Sequence, residues 1–209
     1  MNLGLGNRAE LKGQLLAPSL VAETDLNAVI DGVGLGVAAL MESFCGRRFE
    51  RTVGAQDIFT ADRKTWVLVR YPLESVSAVA QRDDLTAGWV ALVVNDVICN
   101  QLEAGGLLFF SGMLGTEYSQ VRVTYTGGYW FDTTEDATGV MPSGAAALPA
   151  DLKMAWYLQC RECWNKIDRL GTGIVSGENA TFVSQMLMNL DWVPAVRTIL
   201  GRYMRYQMS

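Results

Sequence analysis

Apolar positions keep a helical period in three stretches of the chain, and a period of two in the region between the first and second. Leu152, Trp156, Cys160, Cys163, Ile167 and Leu170 follow one another at spacings of four, four, three, four and three. That draws one apolar stripe along about five turns and predicts a helix over 149–170. Pro149 suits a first turn, Asp151 puts negative charge at the positive end of the dipole, and Gly171 stands where a left-handed cap would fall. A second stripe of Leu26, Val29/Ile30, Val33, Val37, Leu40/Met41 and Phe44 predicts a helix over about 24–45. Thr24 or Asp25 is its expected cap, Gly46 its stop, and Arg47-Arg48 follow where positive charge suits the dipole. Gly32, Gly34 and Gly36 each weaken that helix by up to ~1 kcal/mol relative to Ala. They cannot share one face, and close approach by another chain is one compensation. The third stripe, Trp192, Val196, Ile199, Tyr203 and Tyr206, predicts a closing helix over about 192–206. Residues 1–22, with scattered Gly, Asn and Pro, read as a mobile arm.

Over about 56–126 the alternation changes to that of strands, expected at 57–60, 65–70, 76–81, 89–93, 97–102, 107–110 and 120–125. Asp62-Arg63, Asp83-Asp84, Asn95-Asp96, Gly105-Gly106 and Gly115 supply turns between them, and Gly127-Gly128 ends the last strand. Short strands without long intervening helices point to an antiparallel sheet or small sandwich. The fold class is therefore α+β: a small core of three main helices with an inserted antiparallel sheet or sandwich. Residues 130–147 lack periodicity and carry Asp132, Glu135 and Asp136, as a long functional or disordered loop would. Residues 172–191 are a second low-period stretch, with a short element possible at 181–190.

Half of the 209 residues are hydrophobic, which fits a large core or subunit contacts that bury part of the excess. The net charge of −5 argues against a protein built to grip phosphates. The longest uncharged apolar runs are about half of the ~20 residues a bilayer requires, so no membrane partner is expected. Neither is a signal peptide. Four irregularly placed cysteines fit free thiols in a reducing compartment.

The chain has no histidine, which removes Ser-His-Asp and Cys-His catalysis and most zinc sites. Cys160 and Cys163 have redox spacing but lie on the helical stripe, so buried, quiet thiols are expected. Three loose GxGxxG/A patterns, at Gly4, Gly34 and Gly171, do not sit between a strand and a helix as a dinucleotide site requires. No catalytic, cofactor or metal residue is therefore assigned. One segment stands out. Arg197, Arg202 and Arg205 are the only charged residues after Asp191, interleaved with Tyr203, Met204, Tyr206 and Met208. That composition suits either an interface or an amphipathic helix with a basic outer face.

Several segments, in order, resemble the phage head–tail connector (adaptor) proteins, in the variant with a β insert after the first helix. They are Met41-Glu-Ser-Phe-Cys-Gly-Arg-Arg-Phe49, Tyr71-Pro-Leu-Glu-Ser-Val76, Val121-Arg-Val-Thr-Tyr-Thr-Gly-Gly-Tyr129, Leu148-Pro-Ala-Asp-Leu-Lys-Met-Ala155 and the closing stretch 196–206. The resemblance covers about 25–206. The glycine-rich first helix and the acidic 130–147 loop depart from the pattern. What it implies is a structural virion protein at the head–tail junction, assembled from the host cytoplasm, with residues 23–209 as a single adaptor domain. Such proteins form a dodecameric ring beneath the portal, extend the DNA channel and carry a tail-side stopper or tail completion protein. DNA passes through the channel without specific binding. The resemblance also places the C-terminal end in the portal, so Arg197, Arg202, Tyr203, Arg205, Tyr206 and Met208 are the expected portal-binding residues. Gly32, Gly34 and Gly36 are the expected subunit contacts. Two other classes remain open: a nucleic-acid-binding β module stacking bases on Trp66, Trp89 and Phe109, and an enzyme using carboxylates or Tyr of the 130–147 loop.

Overall fold

The computed structural model describes residues 3–16, 24, 26–133, 138–169 and 191–205, the side chains at 167–169 excepted. Helices α1 (Arg8–Leu15) and α2 (Asn27–Cys45) come first. Strands β1 (Thr52–Thr60), β2 (Thr65–Val67), β3 (Leu73–Arg82) and β4 (Val90–Leu92) lead to a helical turn, α3 (Val94–Val97). Strands β5 (Ile98–Leu102), β6 (Leu107–Phe110), β7 (Gln120–Gly127), β8 (Tyr129–Trp130) and β9 (Ala146–Ala147) precede α4 (Ala150–Arg169) and α5 (Pro194–Leu200). The fold is α+β, a small helical core with antiparallel sheets. It divides into a helical unit (Met1–Gly46, Phe131–Met141, Ala147–Met204) and a β unit (Arg47–Trp130, Pro142–Ala146, Arg205–Ser209).

In the helical unit the predicted stripes are the buried ones. Val29, Ile30, Val33, Val37, Met41 and Cys45 of α2 are buried, as are Leu152, Trp156, Cys160 and Cys163 of α4 and Val196 and Leu200 of α5. With 19 residues and a mean hydropathy of 1.6, α2 is long and apolar enough to cross a bilayer. Here its stripe is core. Gly46 closes α2 at φ +64°, its N–H returning to the carbonyls of Glu42 and Ser43. The start differs from the sequence expectation. Leu26 occupies the cap position without a side-chain bond, and Thr24 contributes only its carbonyl, to Asn27 N–H at 3.0 Å. Asp25 lies outside the described residues. The closing helix is shorter than expected because Pro194 sets its first turn and Gly201 follows its last residue.

The first residues are not a mobile arm throughout. Asn7 caps α1 by accepting from Glu10 N–H at 2.9 Å, and Leu3, Leu5 and Leu11 are fully buried. Glycines make that packing possible. A Cβ on Gly6 would stand 2.7 Å from the Trp156 ring, and one on Gly4, at φ +87°, would stand 2.7 Å from Ala38 Cβ. Ion pairs then fasten the segment at its rim: Arg8 to Asp31 at 2.5 Å, and Lys153 to Glu10 at 2.8 Å.

In the β unit, β1-β7-β3-β4 form one antiparallel sheet and β2-β6-β5 a second. Residues of both share one core, with Trp66, Leu68 and Leu108 packed together with Val79, Val121, Val123 and Tyr125. This arrangement is a small sandwich. β1 begins at Thr52, well before the expected 57, because a bulge at Gly54 (φ +69°) breaks the alternation between Thr52 and Ala55. Bulges between Leu73 and Ser75 and between Val76 and Ala78 hide the true length of β3 in the same way.

Candidate functional site

Three of the segments that carry the family resemblance meet in the β unit. Arg47 is buried, with its guanidinium 3.2 Å from the Tyr71 ring centroid, 5.1 Å from that of Phe49 and 5.4 Å from that of Tyr129. Burial pushes the Arg47 guanidinium down from its ordinary value, while Tyr71 and Tyr129 oppose the shift. Its Nε and Nη2 find no hydrogen-bond acceptor among the described residues, so stacking on the rings is its main contact. Backbone bonds lock the segments together. Tyr129 N–H donates to Phe49 O at 2.7 Å, Arg51 N–H to Tyr129 O at 2.9 Å, and Gly128 N–H to Pro72 O at 2.9 Å.

The Gly127-Gly128 pair is required there. A Cβ on Gly127 would approach Arg70 O to 2.8 Å, and one on Gly128, at φ +100°, would approach Glu50 O to 2.5 Å. The Tyr71-Pro72 bond is cis. Nearby, Arg51 grips Glu74 at 2.8 and 2.9 Å, and that hydrogen bonding holds the Glu74 carboxyl below the usual range. Sequence inspection gave Arg47 only the role of a dipole partner at the end of α2. Nothing in the spacing of Phe49, Tyr71 and Tyr129 announces that they converge on it.

A second buried polar group lies between the sheets. Asp57 Oδ2 accepts from Tyr125 OH at 2.9 Å and from Val69 N–H at 2.7 Å, and Arg70 N–H donates to the Tyr125 oxygen at 3.0 Å. Burial, with the Asp57 charge beside it, raises the Tyr125 phenol well above its ordinary value. These residues tie down the 67–70 loop backbone.

The C-terminal residues expected to bind a portal are spread over different surroundings. Arg197 is exposed on α5. Tyr203 donates to Asp151 Oδ1 at 2.5 Å, and Arg202, largely exposed, lies 3.9 Å from Asp151 Oδ2. Arg205 donates from Nη2 to Val67 O. Tyr206 and Met208 lie outside the described residues, as do Glu135, Asp136, Leu170, Gly171 and the 181–190 stretch.

The three glycines of α2 also separate. Gly34 is taken up inside the subunit: a Cβ there would meet Leu3 and Leu11 at 3.0 Å, and its carbonyl accepts from the Trp156 indole N–H at 3.1 Å. The space expected for a neighbouring chain is filled by this chain's own first residues. Gly32 and Gly36 are half-buried.

Cys160 and Cys163 are free and buried, as expected from the stripe. Burial pushes the Cys160 thiol well up and that of Cys163 to about 11. Trp66 is 4 % exposed and cannot offer its ring to a base. It packs against Phe59 and Phe110 and donates to Thr60 O at 3.2 Å. Among the described residues, no cluster of three or more Cys, Asp or Glu is placed to hold a metal ion.

Neither a family model nor a curated protein matches the chain. Four chains of solved structures do, two of them as follows. One is a chain of the virion of a native gene transfer agent particle, with 14% identity and a TM-score of 0.57 over 97% of this chain and 90% of that one. The other is a chain of the neck of an empty particle of that agent, with 15% identity, the same TM-score and the same coverage. At this identity the likeness is one of fold.

Proposed function

We propose that this chain is a structural protein of a phage-like virion, located at the neck, and not an enzyme. The observation that carries this is the fold shared along nearly the whole chain with virion and neck chains of the gene transfer agent particle. More finely, we infer a head–tail adaptor: a dodecameric ring beneath a portal, extending the DNA channel and receiving a stopper or tail completion protein. The joining of Arg47, Tyr71-Pro72 and Gly127–Tyr129 in one cluster supports that assignment, because the segments that resemble adaptors serve one structural purpose. An acidic chain lining a channel would let DNA slide without gripping it.

Portal docking is assigned to Arg197, Arg202, Tyr203, Arg205, Tyr206 and Met208. In the free chain Asp151 and Val67 O hold the Tyr203 and Arg205 tips, so docking exchanges those bonds for portal acceptors. Gly32 and Gly36 are the positions at which a neighbouring subunit would approach α2. Negative-stain microscopy of the purified protein, alone and mixed with its portal, tests the proposal. Rings on the portal axis are expected. A monomer that ignores the portal overturns it.

A further inference from the structure

Two strand edges in the β unit stand open beside one cleft. β4 covers β3 only at Val79, Ala80 and Gln81, so residues 73–78 have β7 on one side and no described strand on the other. β5 is the outer strand of the smaller sheet and pairs with β6 alone among the described strands. Residues 74–76 and 98–101 line the same cleft, of about 440 Å³. Val76, Val94 and Ile98, packed against the sandwich core, supply its apolar part, and Ser75, Asn95 and Asn100 its uncharged polar part. The carboxylate beside them, Glu74, is already held by Arg51 at 2.8 and 2.9 Å.

An open edge has backbone donors and acceptors that another extended chain matches along its length. Bulges mark both strands, at 74 and 77 in β3 and at 99 in β5, and they bend these edges away from a long flat partner. The cleft therefore fits a short strand. The chain carries such a segment. Residues 138–141, Thr-Gly-Val-Met, belong to no helix or strand. Gly139 N–H donates to Asp132 Oδ2 at 2.9 Å, which fixes the start of the segment. Beyond it Val140, at 88%, is the most exposed large apolar side chain among the described residues, and Met141 is 45% exposed. No charged residue occurs from Thr138 to Ala150. Pro142 biases Met141 toward extended backbone and stops pairing beyond it.

We propose, resting on the ring reading above, that residues 138–141 of one copy enter the β3–β5 cleft of the next as a short added strand. Val140 then leaves water for Val76, Val94 and Ile98, and the peptide groups of the segment take up the open edges. The contact joins two different surfaces of the chain, the kind of contact that can close into a ring. An uncharged strand entering a cleft whose carboxylate is already paired buries no lone ion.

Cys99 supplies the test, because it is exposed and lines the cleft, whereas Cys45, Cys160 and Cys163 are buried. Val140→Cys and Met141→Cys, both at exposed positions, are made in the full chain with and without Cys99→Ser. Each is oxidised at a concentration at which the wild type self-associates by sedimentation. Oligomers beyond a dimer are expected on non-reducing gels, joined by a disulfide from Cys99 to position 140 or 141 on peptide mapping, and lost with Cys99→Ser. Val140→Asp, which carries a charge into the cleft, is expected to weaken self-association by about tenfold or more at an unchanged melting temperature. A cross-link confined to monomers would seat the segment in its own cleft and overturn the joint between copies. Oligomers without that disulfide, or association unchanged in Val140→Asp, overturn the assignment while leaving the ring standing. No wild-type association at any concentration overturns it too and leaves the cleft to a strand of another protein. The portal microscopy above then decides separately whether a ring exists.

Discussion

The two units satisfy their buried polar groups in different ways. The helical unit buries Asn7, Lys12, Asp31 and Gln159 beside its apolar side chains; Asp31 is ion-paired to Arg8, and the Lys153–Glu10 pair is partly exposed. The β unit places Arg47, Asp57 and the Tyr125 hydroxyl inside. Helices satisfy their own backbone groups, so the buried amides of the helical unit serve a cap, Asn7, and the backbone leading into α5, Gln159. The β unit must bring the irregular 67–70 segment against its core, and the donors Val69 N–H and Arg70 N–H require side-chain acceptors. Buried polarity in this molecule follows irregular backbone.

That contrast can be broken from either side. Trp156→Ala should cost about 3–5 kcal/mol in denaturant unfolding, because it empties the site where α4, α2 and the first residues meet. A loss under ~1 kcal/mol would mean that the first residues do not pack as described. The next effect in size is alkaline. Burial keeps Cys163 protonated to about 11, whereas an unfolded chain releases that proton near 9.0. Its contribution is therefore fully present below pH 9 and is lost as pH rises to 11, by about 3 kcal/mol. Melts of wild type and Cys163→Ala across that range check the sign, the variant losing less.

Tyr125→Phe should cost about 1–3 kcal/mol by leaving Arg70 N–H and one Asp57 lone pair unmatched in the interior. The same change in the helical unit, Tyr157→Phe, should cost less, since that hydroxyl reaches Glu10 at 3.4 Å near the rim. Equal losses would erase the contrast. Smallest is Asp151→Asn, expected to lower stability by under ~1 kcal/mol, because its partners Tyr203 and Arg202 are partly or largely exposed.

What the sequence showed follows from the same contrast. The α4 stripe was legible because burial repeats with the helical period, and Trp156, Cys160 and Cys163 all fall on it. The first residues were not. Leu3-Gly4-Leu5-Gly6 is too short for a period, and its glycines suggest mobility until α2 and Trp156 are there to be approached. Gly54 concealed the start of β1 by flipping the alternation. Among the expected site residues, the basic C-terminal end was legible as a charge contrast. Arg47 was not, because its partners are far apart in sequence.

The cluster around Arg47 has a consequence for recognising distant relatives. Its parts are single residues separated by long stretches that are free to drift, so overall identity can fall very low while the cluster stays intact. Its members are not independent. An arginine without the Tyr71 ring would be a buried charge deprived of its nearest partner, and rings without it would enclose a void. Substitutions at 47, 71 and 129 should therefore co-vary across homologues, with the glycine at 128 retained because backbone from 50 lies against it. A search pattern of those four positions, loosely spaced, would detect kinship that pairwise alignment at such distances misses.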